Sequence, residues 1–254
     1  METKIEWTAS VLPDGTTLPG YTFNPWWGCI KVSSECSNCY AETFANRYGF
    51  KIWGPEKTTQ HRFFGDKHWN QPVKWDYEAK KSGIRRKVFC ASMADVFEDN
   101  DSIEEARLRL FNLIAFTPNL DWLLLTKRPE NILKFIPKGM QVKPPANLWL
   151  GTSVGAKESM WRISELKKAR NLAAVLFLSC EPLIEEINLL EDIREGIDWV
   201  IVGGESGPRK REFKPEWARF IKNDCEVAGV SFFMKQWDKI KEVPQDLMVR
   251  SFPI

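Results

Sequence analysis

The chain has 254 residues with 36 Lys plus Arg against 34 Asp plus Glu, a net charge of +2, so no global positive field advertises a nucleic-acid partner and any such surface must be local. That length buries a large core, and an α/β barrel of this size forms one domain, here expected over 1–254. The opening METKIEWTAS has no apolar core and no stretch nears the roughly 20 apolar residues that span a bilayer, which argues against a membrane protein and predicts a cytoplasmic one, its six cysteines being metal ligands, catalytic groups or core residues rather than disulfides.

In chain order, a first strand is predicted near Thr22 to Trp27. It leads into NPWWGCIKVSSECSNCYAE, where Cys36 and Cys39 form a C-x-x-C pair and Cys29 precedes them by six intervening residues. Gly28 and the Ser-rich stretch let such a loop wrap a metal centre. Residues 48–86 then break the rhythm as an insertion longer than a simple crossover needs. Its KIWGPEKTTQHRFFGDKHWNQPVKW interleaves basic and aromatic residues, the pattern of a surface that stacks on bases and tracks phosphates; a solvated insertion packed by its own aromatics gives the same pattern.

Six apolar, β-branched runs follow: 87–92, 121–126, 147–152, 174–180, 198–203 and 230–235. Between them lie helix-period segments, among them Ser102 to Ala115, with Ser102 as N-cap and Glu105 placed for a capping box, and Ser159 to Arg170. Seven strands in β-α alternation predict an α/β fold, a full or partial TIM-like (β/α) barrel. An open doubly wound sheet is the alternative, disfavoured because no G-x-G-x-x-G turn follows any run.

A barrel carries its chemistry at the C-terminal strand ends, which collects one constellation. Cys29, Cys36, Cys39 and Tyr40 follow the first strand; then come Ser92 and Asp95, Lys127 and Arg128 after Thr126, Thr152 and Ser153, Glu181, Gly203 with Gly204, Glu205 and Ser206, and finally Lys235 and Gln236. A cap or turn role is the plain alternative for each Ser or Thr, and Lys127 and Arg128 could equally cap carbonyls or pair with Glu130. Glu205 among its glycines is expected to accept hydrogen bonds from an amine or ribose.

Three thiolates without a fourth suit a cubane iron-sulfur cluster with one open iron. Zinc completed by another ligand, and redox or structural thiols, remain open at this point. His61 and His68 are too isolated for Ser/His or Cys/His catalysis, and no G-x-S-x-G or Walker A sequence is present.

The ordered set NPWWGCIKVSSECSNCYAE, SMADVFED, LLLTKRPENI, LFLSCEPL, VGGESGP and FFMKQW, from about residue 5 to 240, resembles a phage and bacterial three-cysteine-motif family of unknown function, itself similar to radical S-adenosylmethionine enzymes. That likeness implies a partial barrel of the radical S-adenosylmethionine type, a 4Fe-4S cluster on Cys29, Cys36 and Cys39, S-adenosylmethionine bound beside it, and a reductant such as flavodoxin or ferredoxin. The substrate would be unidentified, with a nucleotide or nucleic acid in view. Against the superfamily's usual C-x3-C-x2-C, this chain has C-x6-C-x2-C; Asn38 replaces the aromatic before the last cysteine, and the Gly-Gly-Glu motif follows the sixth strand rather than the second. A metal-stabilised binding module and a metal-dependent barrel hydrolase are the competing functions.

Overall fold

Each of the six apolar runs forms a strand within two residues of its expected bounds. The structure is a computed structural model describing residues 2–12, 14–54, 59–207, 209–238 and 240–253. Its main sheet has seven parallel strands in sequential order: β1 (Tyr21–Thr22), β2 (Arg86–Cys90), β3 (Leu120–Thr126), β4 (Leu148–Ser153), β5 (Val175–Cys180), β6 (Trp199–Gly203) and β7 (Ser231–Gln236). The helices that matter below are α1 (Tyr40–Arg47), α2 (Gln71–Ser82), α3 (Glu104–Phe116), α4 (Trp161–Lys167) and α5 (Pro215–Ala228).

Alternation along the strands sorts their side chains onto two faces. Val88, Trp122, Leu124, Leu150, Leu178, Val200 and Met234 face the helices, packing with Trp75, Leu110, Ile163 and Ile221. Phe89, Leu123, Trp149, Phe177, Trp199, Ile201 and Phe233 form the other face with Trp7. The Trp7 ring lies 4.6 Å from Phe89 on β2 and 6.2 Å from Trp199 on β6. A flat sheet would hold those strands about 19 Å apart, so the sheet curls around Trp7 as a half-barrel plugged from one end.

The barrel does not close: β1 and β7 are edges. Single antiparallel bridges cover them, Glu2 on Tyr21 and Arg250 on Phe233. Arg250 grips Glu6 with two hydrogen bonds of 2.9 and 2.8 Å, joining the two covering segments. Among the described residues no helix is long and apolar enough to cross a membrane.

Three local expectations are corrected. The first strand stops at Thr22, because Trp26–Trp27 turns away to pair antiparallel with Arg62–Phe63. Ser102 does not cap helix α3: it lies in a 3-10 turn capped by Asn100, whose Oδ1 accepts from the Ser102 N–H at 3.0 Å, and α3 follows from Ile103 with no side-chain cap. The segment from Ser159 to Arg170 is helical continuously only over Trp161–Lys167, with 3-10 turns on either side. The irregular segment 48–86 contains α2, the crossover from β1 to β2. Its Trp69 is buried and its Arg62 guanidinium lies over Trp27, Phe50 and Phe64 at 5.0, 4.3 and 5.2 Å, so both are committed to packing.

Candidate functional site

At the C-terminal rim of the strands the inward positions change from apolar to polar. Phe89, Ala91 and Leu125 floor a cleft enclosing about 1050 Å³, its mouth included, and Ser92, Asp95, Lys127, Arg128, Ser153, Glu181, Glu205 and Ser206 wall it. Cys29, Cys36, Cys39 and Tyr40 complete the wall on the side of the cysteine loop. The three thiols there are free and partly exposed, whereas Cys90, Cys180 and Cys225 are buried in the core.

The loop begins at Gly28, whose φ of +126° favours glycine and where a Cβ would meet the His61 ring at 2.9 Å. Cys29 then pairs in parallel with Trp53. Ser34–Cys36 forms a 3-10 turn, and Cys39 stands at the N-cap of α1, where its carbonyl accepts from Thr43 N–H at 3.1 Å.

Three arginines from distant parts of the chain hold this loop in place. Arg128 donates from Nη2 to the Ile30 carbonyl at 2.6 Å and from Nη1 to Asp95 at 2.9 Å, with Nη1 3.8 Å from the Cys29 sulfur. Arg162 binds Glu35 at 2.7 Å. Arg211 donates to the Ser34 carbonyl at 3.0 Å and engages both oxygens of Glu205, whose Oε2 also accepts from Asn38 Nδ2 at 3.1 Å. Behind the loop Glu98 accepts from the Ile30 N–H at 3.1 Å and lies 3.1 Å from His61 Nε2, both side chains being buried.

Burial pushes the Cys29 thiol up, opposed by the Arg128 charge; burial likewise raises Cys39, opposed by backbone N–H groups at the start of α1 and by Lys127. For Asp95 burial alone would raise the carboxyl, but Arg128 with hydrogen bonds from Thr126, Lys127 and Phe97 outweighs it and holds the group below the usual carboxylate value. Asp95 is thus a committed anion anchoring Arg128.

Of the residues expected at the site, five do not line the cleft. Thr152 points to the opposite face by the strand's period of two, its hydroxyl spent on the Thr126 carbonyl at 2.9 Å. Gly204 allows close packing instead, since a Cβ there would run into the Trp237 carbonyl, while a Cβ on Gly203, at the end of β6, would meet the Gln236 carbonyl no closer than 3.4 Å. Gln236 donates to the Gly204 carbonyl at 3.1 Å, and Lys235 sits one step back, gripping Glu181 at 2.5 and 2.7 Å. Glu205 lines the cleft with its oxygens already engaged by this chain's own donors. Glu35, Asn38, Glu98, Arg162 and Arg211 were not foreseen; Glu35 and Asn38 lie within the cysteine motif and Glu98 within SMADVFED, whereas Arg162 and Arg211 carried no local signal.

A cubane iron-sulfur cluster suits this donor set: three soft, free thiols on one wall, next to two cations that offset thiolate charge. Among the described residues no three His, Cys, Asp or Glu side chains are grouped around one ion.

No curated protein and no solved structure matches the chain. A family model described as "Protein of unknown function (DUF5131)" matches residues 2–250, nearly the whole chain, and the protein therefore belongs to that family.

Proposed function

We propose that this protein is a radical S-adenosylmethionine enzyme of the partial-barrel type, holding a 4Fe-4S cluster on Cys29, Cys36 and Cys39, with a nucleotide or nucleic acid as substrate. The observation that carries this reading is the convergence of the three free cysteines on one cleft at the C-terminal strand ends. When bound, the cluster supplies the single electron that splits S-adenosylmethionine into methionine and a 5'-deoxyadenosyl radical.

The chain's own groups suit the binding of that cofactor. Lys127 Nζ bonds only Ser153 Oγ, at 3.1 Å, and has no carboxylate partner among the described residues, leaving its charge for an anionic group. Glu181 lines the cleft with both oxygens held by Lys235, and Tyr40, whose hydroxyl donates to the Ser92 carbonyl at 2.8 Å, keeps its phenolic oxygen as an acceptor at the mouth. Glu205 does not serve in this scheme; it positions the loop. The electron would come from a small carrier such as flavodoxin or ferredoxin.

Anaerobic reconstitution with iron and sulfide, followed by dithionite reduction and chromatographic detection of 5'-deoxyadenosine, tests the proposal. The expected result is about one cluster per chain and turnover of the cofactor, both lost when Cys29, Cys36 or Cys39 becomes Ala and neither lost in Cys225→Ala. Stoichiometric zinc without cofactor binding would replace the proposal with a metal-stabilised binding module. Hydrolysis dependent on added Mg²⁺ or Mn²⁺ would replace it with a barrel hydrolase.

A further inference from the structure

Helix α1 leaves the cysteine loop at the cleft and carries Tyr40 and Phe44, with Tyr48 following at its C-cap at the same spacing of four, which sets the three along one side. They are 53 %, 40 % and 63 % exposed, an unusual concentration of aromatic surface. The Phe44 and Tyr48 rings lie 5.0 Å apart, and Phe44 rests on Trp27 at 5.9 Å. The row begins on the cleft wall, where Tyr40 is a lining residue, and runs about 12 Å away from it.

Cations flank this row, and Glu181, whose charge reaches Tyr40, is held by Lys235. The one acidic residue of α1, Glu42, is neutralised by Lys31 at 2.6 Å. Arg47 and Lys51 are exposed and, among the described residues, have no carboxylate partner. On the opposite lip Arg209, also exposed and without such a partner, follows the Asn38 contact across the mouth. Exposed rings in series, flanked by cations that have no carboxylate partner among the described residues, match an occupant that offers flat faces and a phosphate backbone. They match a protein or acidic peptide less well, because such a partner would offer apolar side chains but no stacking repeat.

We infer that the Tyr40, Phe44 and Tyr48 face of α1, with Arg47, Lys51 and Arg209, binds single-stranded nucleic acid and leads it to the cleft. The purpose of this surface rests on the reading of the cleft as a reactive centre, but its binding needs neither cluster nor cofactor. Duplex is excluded from stacking because its bases are already stacked on one another, so discrimination between strands is part of the inference.

Fluorescence anisotropy of labelled 12-residue oligothymidylate and oligouridylate, measured on the full-length protein without reconstitution, tests it apart from the radical chemistry. Wild type should bind single strands more tightly than a 12-base-pair duplex, and Tyr48→Ala should weaken binding about 5- to 150-fold, the range for losing one stacked base. Tyr48→Phe should bind as wild type, since the ring face is kept. Arg47→Gln with Lys51→Gln should flatten the dependence of log Kd on log salt by about 1 to 2. Tyr48 is solvent-exposed, so circular dichroism should show the variants folded as wild type. Indifference to Tyr48→Ala, equal affinity for duplex, or no binding at 50 mM salt would overturn the inference. Retention on anionic vesicles in place of oligonucleotides would assign the row to a lipid surface and overturn it as well. A negative cluster assay with positive oligonucleotide binding would remove the radical reading and leave this one standing.

Discussion

Glu35, inside the cysteine motif, and Arg162 of α4 form a buried ion pair of 2.7 Å, both side chains at most 3 % exposed. The pair does more than cancel charge. Glu35 also accepts from the Gly155 N–H at 2.7 Å and from Ser33 Oγ at 2.9 Å, and Arg162 donates to the Ser153 carbonyl at 2.9 Å. The link runs from the stretch between Cys29 and Cys36 to the end of β4.

Arg162→Met should therefore destabilise the protein by about 3 to 5 kcal/mol, because it strands a buried carboxylate. Glu35→Gln combined with Arg162→Met should cost less than Arg162→Met alone, since no charge is then left unpaired. Urea denaturation measures both. The alkylation rate of Cys36 by iodoacetamide should rise in Arg162→Met under native conditions, reporting a loosened loop. A loss below about 1 kcal/mol with unchanged alkylation would show that the loop is held without this pair.

Glu205 gives the acid limb of stability a specific cause. Burial would raise its carboxyl, but hydrogen bonds from the Arg211 side chain and N–H and from Asn38 outweigh this, and the folded value falls below the ordinary 4.5. The unfolded chain then takes up a proton first as the pH drops. The stabilisation is complete above about pH 4.5 and is lost as the pH falls through the lowered folded value. Thermal unfolding followed from pH 6 to 3 should show the melting temperature of wild type falling more steeply below pH 4.5 than that of Glu205→Gln. The variant should keep some slope, because Asp238, held down to about 2 by Lys210 and by the N–H groups of Lys241 and Ile240, acts in the same sense. Parallel curves would assign the acid sensitivity elsewhere.

The strands were legible because each buries both faces and so reads as an unbroken apolar run, as in 148–153 and 175–180. The strand-end rule also brought Cys29, Cys36, Cys39, Asp95, Lys127, Arg128, Ser153 and Glu181 to one cleft. The clamps were not legible. Glu35 and Arg162 are 127 residues apart, and Asn38 and Glu205 are 167 apart, so no local pattern pairs them. Nothing local in the sequence marked Trp7 as the plug of the half-barrel, because only the curl of the sheet brings β2 and β6 to a common ring. Of the two readings that the basic and aromatic composition of 48–86 allowed, Trp69 and Arg62 follow the packed one, while exposed rings lie on α1.

Gly155 joins these parts, and its replacement makes the sharpest test of the packing beneath the cleft. It follows β4, its N–H donates to Glu35, and its carbonyl accepts from the Ile184 N–H at 2.9 Å. A Cβ there would run into the carbonyl oxygen of Pro182 and come within 3.2 Å of Glu35 Oε1. The obstacle is backbone, which cannot swing aside as a side chain does. At Gly151, by contrast, a Cβ would meet the Phe177 ring, which could tilt. Gly155→Ala should therefore destabilise by about 1 to 3 kcal/mol or more, lowering the melting temperature by roughly 2 to 12 °C. It should also loosen the cysteine loop through Glu35 and so raise the alkylation of Cys36. Gly139→Ala is the control: Gly139 lies in a short helix with nothing near its added methyl, and Ala there should be neutral or stabilising by up to about 1 kcal/mol. Equal melting temperatures for Gly155→Ala and wild type would mean that the loop after β5 yields to the methyl group, and that the Glu35 contact does not depend on the close approach seen at Pro182.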